Sequence, residues 1–488
     1  MPRDTPSLGA RAFRGALWSY GSFTGVRLLS LASTAALARL LSPRDFGLVA
    51  LALIFTAALD SMRDFGVNEA LIVARDDEVR EQANTAFTFT VLLGVGLALV
   101  VGALSPLAAE FFDQPRLLAL LAVLGLNLPL RSLGFTHYAL AQRSLDFRSR
   151  TVAELVDVVV RAGVGIALAV AGQGPWSLVL GYLAGTIAWT AVLWIAVRWR
   201  PALVLRRSDL STLVRFGGAL TLVSIIGAVM GYIDNVFVGK VLGPAALGVY
   251  SLGYRLPELV VANLSWVAGL VLFPAFATVD RSALRGPVIT AFRYAMLAGL
   301  PLAVGVIVLA DPLVLALFGP RWSEAAPVIQ VLGIAYLGSP ISQVTGSAYK
   351  AIKRVDVLIK LAALQLPLLV GLLAIFVDDG IVAVAGCQAG VRVLFISIGV
   401  YVAIRVLGLS ARELWNAAWP AIVAGAGMAA VLVPLERAIT SPWPAVVAGC
   451  TVGAAVYLGL SWLLAPEPLR SLWGLARGSG RVGAERGG

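Results

Sequence analysis

The feature that most constrains this sequence is a series of long apolar runs that follow one another almost without interruption. A helix needs about 20 mostly apolar residues to cross the hydrocarbon core of a bilayer. Only 13% of the residues are charged, about half the share found in soluble domains. We therefore expect an all-α integral membrane protein with about fourteen transmembrane helices. The predicted spans cover residues 14–41, 46–73, 84–105, 117–141, 151–171, 175–197, 212–239, 244–276, 289–310, 324–349, 357–377, 380–404, 414–435 and 443–464.

Lysine and arginine are distributed very unevenly between the two sides of this predicted topology. If the N-terminus is cytoplasmic, the cytoplasmic segments hold 26 of the 38 basic residues, the opposite side holds 5, and 7 lie within spans. Positive charge in short loops marks the cytoplasmic side. Both termini are therefore predicted to be cytoplasmic. The same distribution argues against nucleic-acid binding, because the basic residues lie in short loops between apolar runs.

Two turns of the chain resemble each other and indicate an internal repeat. Residues 39–47 read RLLSPRDFG and residues 240–248 read KVLGPAALG, at an offset of 201. Proline cannot continue a helix, and a glycine close behind it allows the next helix to start tightly. A second similarity pairs QRSLD at 142–146 with IKRVD at 352–356. The alternative is chance, since apolar helices joined by Pro-Gly turns look alike.

The repeat comprises six spans, and an even number makes the two copies parallel. Parallel repeats commonly form the two halves of secondary transporters, with the substrate between them. We predict two parallel six-helix lobes around a central cavity, with an appended C-terminal helix pair. The predicted boundaries are a cytoplasmic tail at 1–13, a first lobe at 14–200, a linker at 201–211, a second lobe at 212–405, the appended spans at 406–465 and a cytoplasmic tail at 466–488.

Charged and polar residues inside the predicted spans are the candidates for function. A charge at bilayer depth costs at least about 2.5–3.5 kcal/mol on insertion scales and faces protein or a wet cavity. The candidate ligands for an anionic, phosphate- or sugar-bearing substrate are Arg27, Arg63, Arg131, Arg161, Arg255, Arg392, Tyr20, Thr24 and Asn235. The candidates for ion coupling are Asp60, Asp64, Asp157 and Asp234. Because most of the arginines lie in the first lobe, the site is expected between spans 1, 2, 4 and 5.

Structural roles are an open alternative for several of these charges. Asp157 with Arg161, and Arg255 with Glu258, have spacings that equally suit neutralised pairs within a helix. The charges at residues 60–64 equally suit a clamp between helices. The arginines without an acidic residue on the same helix face are better explained by a cavity.

Several chemistries lack their usual sequence signals. The sequence contains no G-x-x-x-x-G-K-[ST] loop, so ATP hydrolysis by this chain is not expected. No Cys/His cluster suggests a metal, and no external loop is long enough to carry the carboxylates of a membrane glycosyltransferase. We expect a transporter rather than an enzyme, with no cofactor beyond possible coupling to H⁺ or Na⁺.

Three stretches resemble a known group of membrane proteins. Residues 40–50 (LLSPRDFGLVA), 64–72 (DFGVNEALI) and 142–148 (QRSLDFR) resemble the signatures of bacterial polysaccharide flippases. These belong to the multidrug/oligosaccharidyl-lipid/polysaccharide exporter superfamily, in the branch of colanic acid and teichuronic acid exporters and O-antigen flippases. The resemblance implies flipping of an undecaprenyl-pyrophosphate-linked oligosaccharide from the inner to the outer leaflet of the bacterial cytoplasmic membrane. It also implies alternating access and a role in surface polysaccharide or lipopolysaccharide biosynthesis.

The resemblance also suggests roles for particular residues and partners. In related flippases, arginines on spans 1 and 2 face the cavity, and Arg27 and Arg63 occupy the corresponding places here. Spans 13 and 14 are expected to offer a groove for the lipid tail. The expected partners are the lipid-linked oligosaccharide, membrane lipids, and polysaccharide polymerase and glycosyltransferases, with the transporter acting as a monomer. The alternatives are a cation-coupled multidrug exporter of the same superfamily and, further off, a membrane glycosyltransferase or polymerase.

Overall fold

The computed structural model describes most of the chain. It covers residues 25–64, 78–207 and 227–468, together with positions 67, 71, 75, 210 and 470. Within these residues the regular elements are all helices, and no strand occurs. This confirms the all-α prediction for the described part of the chain.

The chain divides into two compact units, Met1–Ser251 and Leu252–Gly488. The helices that begin in the first unit are α1 (25–40), α2 (Pro43–Asp64), α3 (Val79–Phe111), α4 (Pro115–Gly125), α5 (Asn127–Arg143), α6 (Phe147–Val170), α7 (Trp176–Ala196), α8 (227–237, followed by a π turn at Val238–Leu242) and α9 (Gly243–Pro257). The lobe boundaries expected from the repeat remain predictions.

Among its described residues, the second unit contains the end of α9, a π turn at Glu258–Ala262, and nine further α-helices of eight or more residues. They are α10 (Asn263–Ala277), α11 (Arg285–Val308), α12 (Ala310–Leu317), α13 (Ala325–Leu337), α14 (Ser339–Ala351), α15 (Val355–Phe376), α16 (Ile381–Leu407), α17 (Ala411–Ala438) and α18 (Pro442–Leu464). Three predicted spans are each built from two consecutive helices: α4 with α5, α9 with α10, and α13 with α14.

Ten helical segments of the described chain are long and apolar enough to cross a membrane. They correspond to Val79–Phe111, Pro115–Arg143, Trp176–Ala196, Gly227–Val261, Arg285–Val308, Ala325–Ala351, Val355–Asp379, Ile381–Leu407, Ala411–Ala438 and Pro442–Leu464. Predicted spans 1, 2 and 5 coincide with α1, α2 and α6, which carry many of the charges singled out above. The chain is thus a multi-pass membrane protein, and the number fourteen remains a prediction.

The two Pro-x-x-x-Gly turns of the repeat contact each other within the first unit. A Cβ placed on Gly47 would overlap the carbonyl oxygen of Pro244, and a Cβ placed on Gly248 would overlap the carbonyl oxygen of Pro43. In each contact the glycine of one turn meets the proline of the other, and the equivalent residues of the two turns are 201 positions apart. The starts of α2 and α9 therefore cross backbone to backbone, in the reciprocal manner that a local two-fold axis produces. Only glycine permits so close an approach.

The second predicted similarity is real in conformation, but its predicted register is wrong by two residues. At the end of α5 the N–H of Asp146 donates to Ala141 O, and at the end of α14 the N–H of Arg354 donates to Tyr349 O. Leu145 and Lys353 take the same left-handed conformation, with φ of 56° and 59°. The matching positions are therefore separated by 208 residues, whereas the sequence comparison paired Asp146 with Asp356. The two aspartates are not equivalent, because they make different hydrogen bonds.

Asp146 caps the start of α6. Its carboxylate accepts hydrogen bonds from the backbone N–H of Ser149 at 3.1 Å and from the Ser149 hydroxyl at 2.6 Å. These bonds favour the ionised form, so the bonds from Ser149 lower the pKa of the Asp146 carboxyl. Asp356 instead lies in the first turn of α15 and accepts from the Arg354 side chain at 2.8 Å.

Candidate functional site

Charged residues of α2 and α5 come together in the first unit. We call this group of three residues, Asp60, Arg63 and Arg131, the first charged cluster. Arg63 is 4% exposed, and its Nε donates to the Asp60 carboxylate at 2.9 Å. The Arg63 guanidinium also lies over the Phe135 ring, 4.7 Å from its centroid. Arg131 lies one turn before Phe135 on α5, and its guanidinium lies 4.8 Å from the centre of the Trp189 ring. The cluster therefore holds two cations and one anion, packed on aromatic faces.

Asp157 and Arg161 form an ion pair on α6. The Arg161 Nη2 lies 2.7 Å and 2.8 Å from the two carboxylate oxygens of Asp157. The guanidinium also stacks on the Tyr182 ring, 3.8 Å from its centroid. Gly185 of α7 leaves the space that the Asp157 carboxylate occupies. Of the two alternatives left open by the sequence, the geometry shows the paired arrangement.

Asp234 and Asn235, both on α8, lie in different surroundings. Asp234 is fully buried, and its carboxylate accepts hydrogen bonds from the Tyr250 hydroxyl at 2.7 Å and from the Asn235 backbone N–H at 2.9 Å. The Oδ1 of Asn235 is buried and has no hydrogen-bond partner among the described residues.

Arg392 of α16 lies on a polar cavity in the second unit, which we call the Arg392 cavity. The cavity has a volume of about 600 Å³ and is lined, among others, by Tyr254, Tyr336, Gln343, Gln365, Arg392 and Glu258. The Nη2 of Arg392 donates to the Tyr254 hydroxyl at 3.3 Å, and its guanidinium lies 4.6 Å from the centre of the Tyr336 ring. Among the described residues, no carboxylate lies within ion-pair distance of Arg392.

The remaining predicted site residues are described less fully. Arg27 on α1 and Arg255 on α9 are exposed side chains. Tyr20 and Thr24 lie outside the described residues, as does the side chain of Asp64. The structure thus places six of the predicted charges in three groups, which are the first charged cluster, the Asp157–Arg161 pair and the Arg392 cavity, and leaves Asp234 as a separate carboxylate.

The sequence analysis missed the polar residues that accompany Arg392. Gln343 and Gln365 carry carboxamides inside long apolar segments, and this pattern could have marked them as candidates. Tyr254 and Tyr336 had no comparable signal, because tyrosines are common in spans and their facing positions depend on helix packing. The same holds for Trp189 and Tyr182 opposite the arginines of the first unit.

Comparison with known proteins gives a consistent result. The chain is 27% identical to the lipopolysaccharide biosynthesis protein WzxC of Escherichia coli (strain K12) over 425 residues, which is 85% of each chain. It is 24% identical to the teichuronic acid biosynthesis protein TuaB of Bacillus subtilis (strain 168), over 72% of this chain and 73% of TuaB. Among solved structures, the lipid II flippase MurJ in an inward closed conformation matches with a TM-score of 0.76 and 14% identity, over 94% of this chain and all of MurJ.

The MurJ likeness establishes the fold, that of an all-helical membrane transporter. Residues 36–327 match the family described as polysaccharide biosynthesis protein. Since that match covers more than half of the sequence, the chain belongs to the polysaccharide biosynthesis protein family.

Proposed function

We propose that this protein flips an undecaprenyl-pyrophosphate-linked oligosaccharide from the inner to the outer leaflet of the bacterial cytoplasmic membrane by alternating access. The observation that carries the proposal is the combination of two matches. The family is one of polysaccharide biosynthesis, and the fold is shared with a lipid II flippase. The product of such a pathway is built on a lipid carrier, and moving it requires a membrane transporter rather than a soluble enzyme.

The charges at predicted bilayer depth support an anionic substrate. Arginine offers a planar fork of donors that matches phosphate and carboxylate oxygens. Arg27 is the first candidate to meet the pyrophosphate, because it corresponds to a cavity-facing arginine of related flippases and its side chain is exposed on α1, whereas the Arg63 side chain is buried. Arg131 provides a second positive charge that an aromatic face holds in place.

Orientation and energy source form part of the same proposal. The excess of basic residues in alternate loops supports cytoplasmic termini. Asp60 and Asp157 are each paired with an arginine, so a cation that bound either carboxylate would have to displace a guanidinium. Transport into proteoliposomes under an imposed pH gradient, Na⁺ gradient or potential would separate these sources.

A test of the proposed function starts from a strain of the native host that lacks the chromosomal gene. We expect surface polysaccharide to disappear and a lipid-linked oligosaccharide to accumulate on the cytoplasmic side, where an impermeant glycosidase added outside spheroplasts cannot reach it. A plasmid carrying the wild-type sequence restores export. Normal surface polysaccharide in the deletion strain contradicts the proposal.

The arginine part of the proposal has a matched pair of variants. Arg27→Ala should abolish complementation while the protein remains in the membrane at wild-type abundance. Arg116 is an exposed arginine in the first turn of α4, in a predicted external turn. Arg116→Ala removes the same charge as Arg27→Ala and should complement fully. Equal complementation by both variants argues against Arg27 as a substrate contact.

A further inference from the structure

The Arg392 cavity differs in charge from a site for pyrophosphate. Its described lining contains one cation, Arg392, and one anion, Glu258. A pyrophosphate diester carries two negative charges, which this lining does not neutralise. A single negative charge can pair with Arg392, whereas a second one meets no further cation in the described lining.

The guanidinium of Arg392 is available for such a ligand. Its described contacts are with neutral groups, the Tyr254 hydroxyl and the Tyr336 ring. An arginine has five N–H donors in a fixed fork, and the hydrogen bond to Tyr254 uses one of them. The stacking on Tyr336 fixes the plane of the fork without neutralising its charge.

The other lining groups suit a sugar. Gln343 and Gln365 each offer a carboxamide, which donates and accepts hydrogen bonds as vicinal hydroxyls require. Tyr254 and Tyr336 offer aromatic faces and hydroxyls, which combine an apolar surface with a polar end. A volume of about 600 Å³ is enough for one sugar ring with its neighbouring groups.

Gln343 is held in place by a glycine of the neighbouring helix. A Cβ on Gly269 of α10 would overlap the side-chain amide of Gln343 and would lie 2.6 Å from its Cδ. The amide therefore packs directly on the backbone of α10. Gly269 is a positioning residue for Gln343 and has no contact of its own with a ligand.

We infer that the Arg392 cavity binds one sugar unit that carries a single carboxylate, with the carboxylate on Arg392 and the hydroxyls on Gln343 and Gln365. The inference rests on the proposed function, because the sugar unit belongs to the transported glycan. It assigns the second unit a separate task, recognition of the glycan rather than of the pyrophosphate.

Binding to the purified full-length protein in phosphatidylcholine nanodiscs tests the inference. The probes are D-glucuronate, D-glucose, inorganic pyrophosphate and glycerol 1-phosphate, titrated by calorimetry. Because the proposed function gives pyrophosphate a separate contact at Arg27, the test compares how much affinity each probe loses on Arg392→Gln. Arg392→Gln should weaken D-glucuronate at least tenfold and change D-glucose and pyrophosphate less than twofold. A loss of pyrophosphate affinity, or of affinity for glycerol 1-phosphate, which stands for a lipid headgroup, that equals or exceeds the loss of D-glucuronate affinity overturns the assignment.

Two matched controls separate a binding role from a structural one. Arg405→Gln removes a second arginine of α16 that also lies near a tyrosine ring, that of Tyr401, but is not part of the cavity lining. It should leave D-glucuronate affinity unchanged. Gly269→Ala should weaken both sugars by displacing Gln343, whereas Gly346→Ala on α14, where a Cβ meets nothing within 4 Å, should weaken neither.

The failure of this inference can be told apart from failure of the proposed function. If D-glucuronate binds equally to wild type and Arg392→Gln while the deletion strain lacks surface polysaccharide, the sugar site is refuted and the flippase stands. If the deletion strain exports normally, the proposed function is refuted whatever the nanodiscs bind.

Discussion

Replacing the two repeat glycines with alanine tests how closely α2 and α9 cross. A Cβ on Gly47 would overlap Pro244 O and lie 3.0 Å from Pro244 Cα, and a Cβ on Gly248 would lie 2.8 Å from the carbonyl carbon of Pro43. Ordinary van der Waals contact of such atoms begins at 3.4 Å. The obstacle is backbone, which cannot rotate aside as a side chain can. The two helices would therefore have to move apart.

The size of the effect follows from the cost of overpacking. Extra methyl groups in a packed interior cost typically ~1–3 kcal/mol. Because backbone is the obstacle here, we expect each of Gly47→Ala and Gly248→Ala to lower the free energy of unfolding by ~3 kcal/mol. Gly96→Ala in α3 is the control, because a Cβ there meets nothing within 4 Å, and it should not destabilise.

The measurement is reversible unfolding in mixed micelles of dodecyl maltoside and sodium dodecyl sulfate, followed by circular dichroism. Both alanines open the same crossing, so the double variant should lose less than the sum of the single losses, with a coupling of ~1 kcal/mol or more. Gly47→Ala as stable as Gly96→Ala would refute the close approach. Strict additivity would show that the two glycines do not share one contact.

Three further predictions concern pairs and caps away from that crossing. Asp157→Ala should lower the free energy of unfolding by ~3 kcal/mol, because it leaves the mostly buried Arg161 without its carboxylate, and Asp157→Ala combined with Arg161→Met should recover part of that loss in the same micelle titration. Asp146→Ala should cost ~1 kcal/mol at pH 7. Since the folded state lowers the pKa of Asp146, that contribution is full above the ordinary carboxyl pKa and fades as the pH falls through the lowered value, so the difference from wild type should shrink below about pH 4. Glu413→Gln should leave the free energy of unfolding almost unchanged, because the ion pair of Glu413 with Arg285 is exposed, and any small loss should vanish in 1 M salt.

The helices could be predicted from the sequence because a bilayer imposes a length and an apolar composition. The Pro-Gly turns could be predicted as helix ends for the same local reason. Their crossing was not predicted, since the contact between Gly47 and Pro244 joins positions about two hundred residues apart. The offset of 201 suggested that these turns are equivalent, but it did not indicate that they lie in contact.

The second repeat turn shows where sequence similarity misleads. The residues were paired by matching Asp146 with Asp356, but the structure matches Asp146 with Arg354. What the two turns share is a backbone hydrogen-bond pattern and a left-handed residue, Leu145 or Lys353. Neither is a residue type that favours this conformation, so the sequence held no signal for the register.

The candidate charges themselves were visible in the sequence, whereas their partners depended on tertiary packing. An i, i+4 spacing made the Asp157–Arg161 pair one of two open alternatives, and the structure shows that the ion pair forms. The aromatic rings over Arg131 and Arg392 come from other helices, which no local pattern reveals.

The arginines differ in whether a carboxylate or an aromatic ring supports the guanidinium, and this difference determines how many N–H donors a substrate can use. A carboxylate partner neutralises a guanidinium and occupies part of its donors, as in Arg161, whose Nη2 lies within hydrogen-bond distance of both carboxylate oxygens of Asp157. An aromatic face lowers the cost of holding the cation away from water while leaving its charge and most of its N–H donors unused. Arg392 has the second kind of support within the described residues. A transporter must bind its anion and release it again, and a cation held by neutral groups can do so without an internal carboxylate competing for the same donors. By this reasoning Arg392 ranks above Arg161 as a substrate contact, although spacing within the sequence treated them alike.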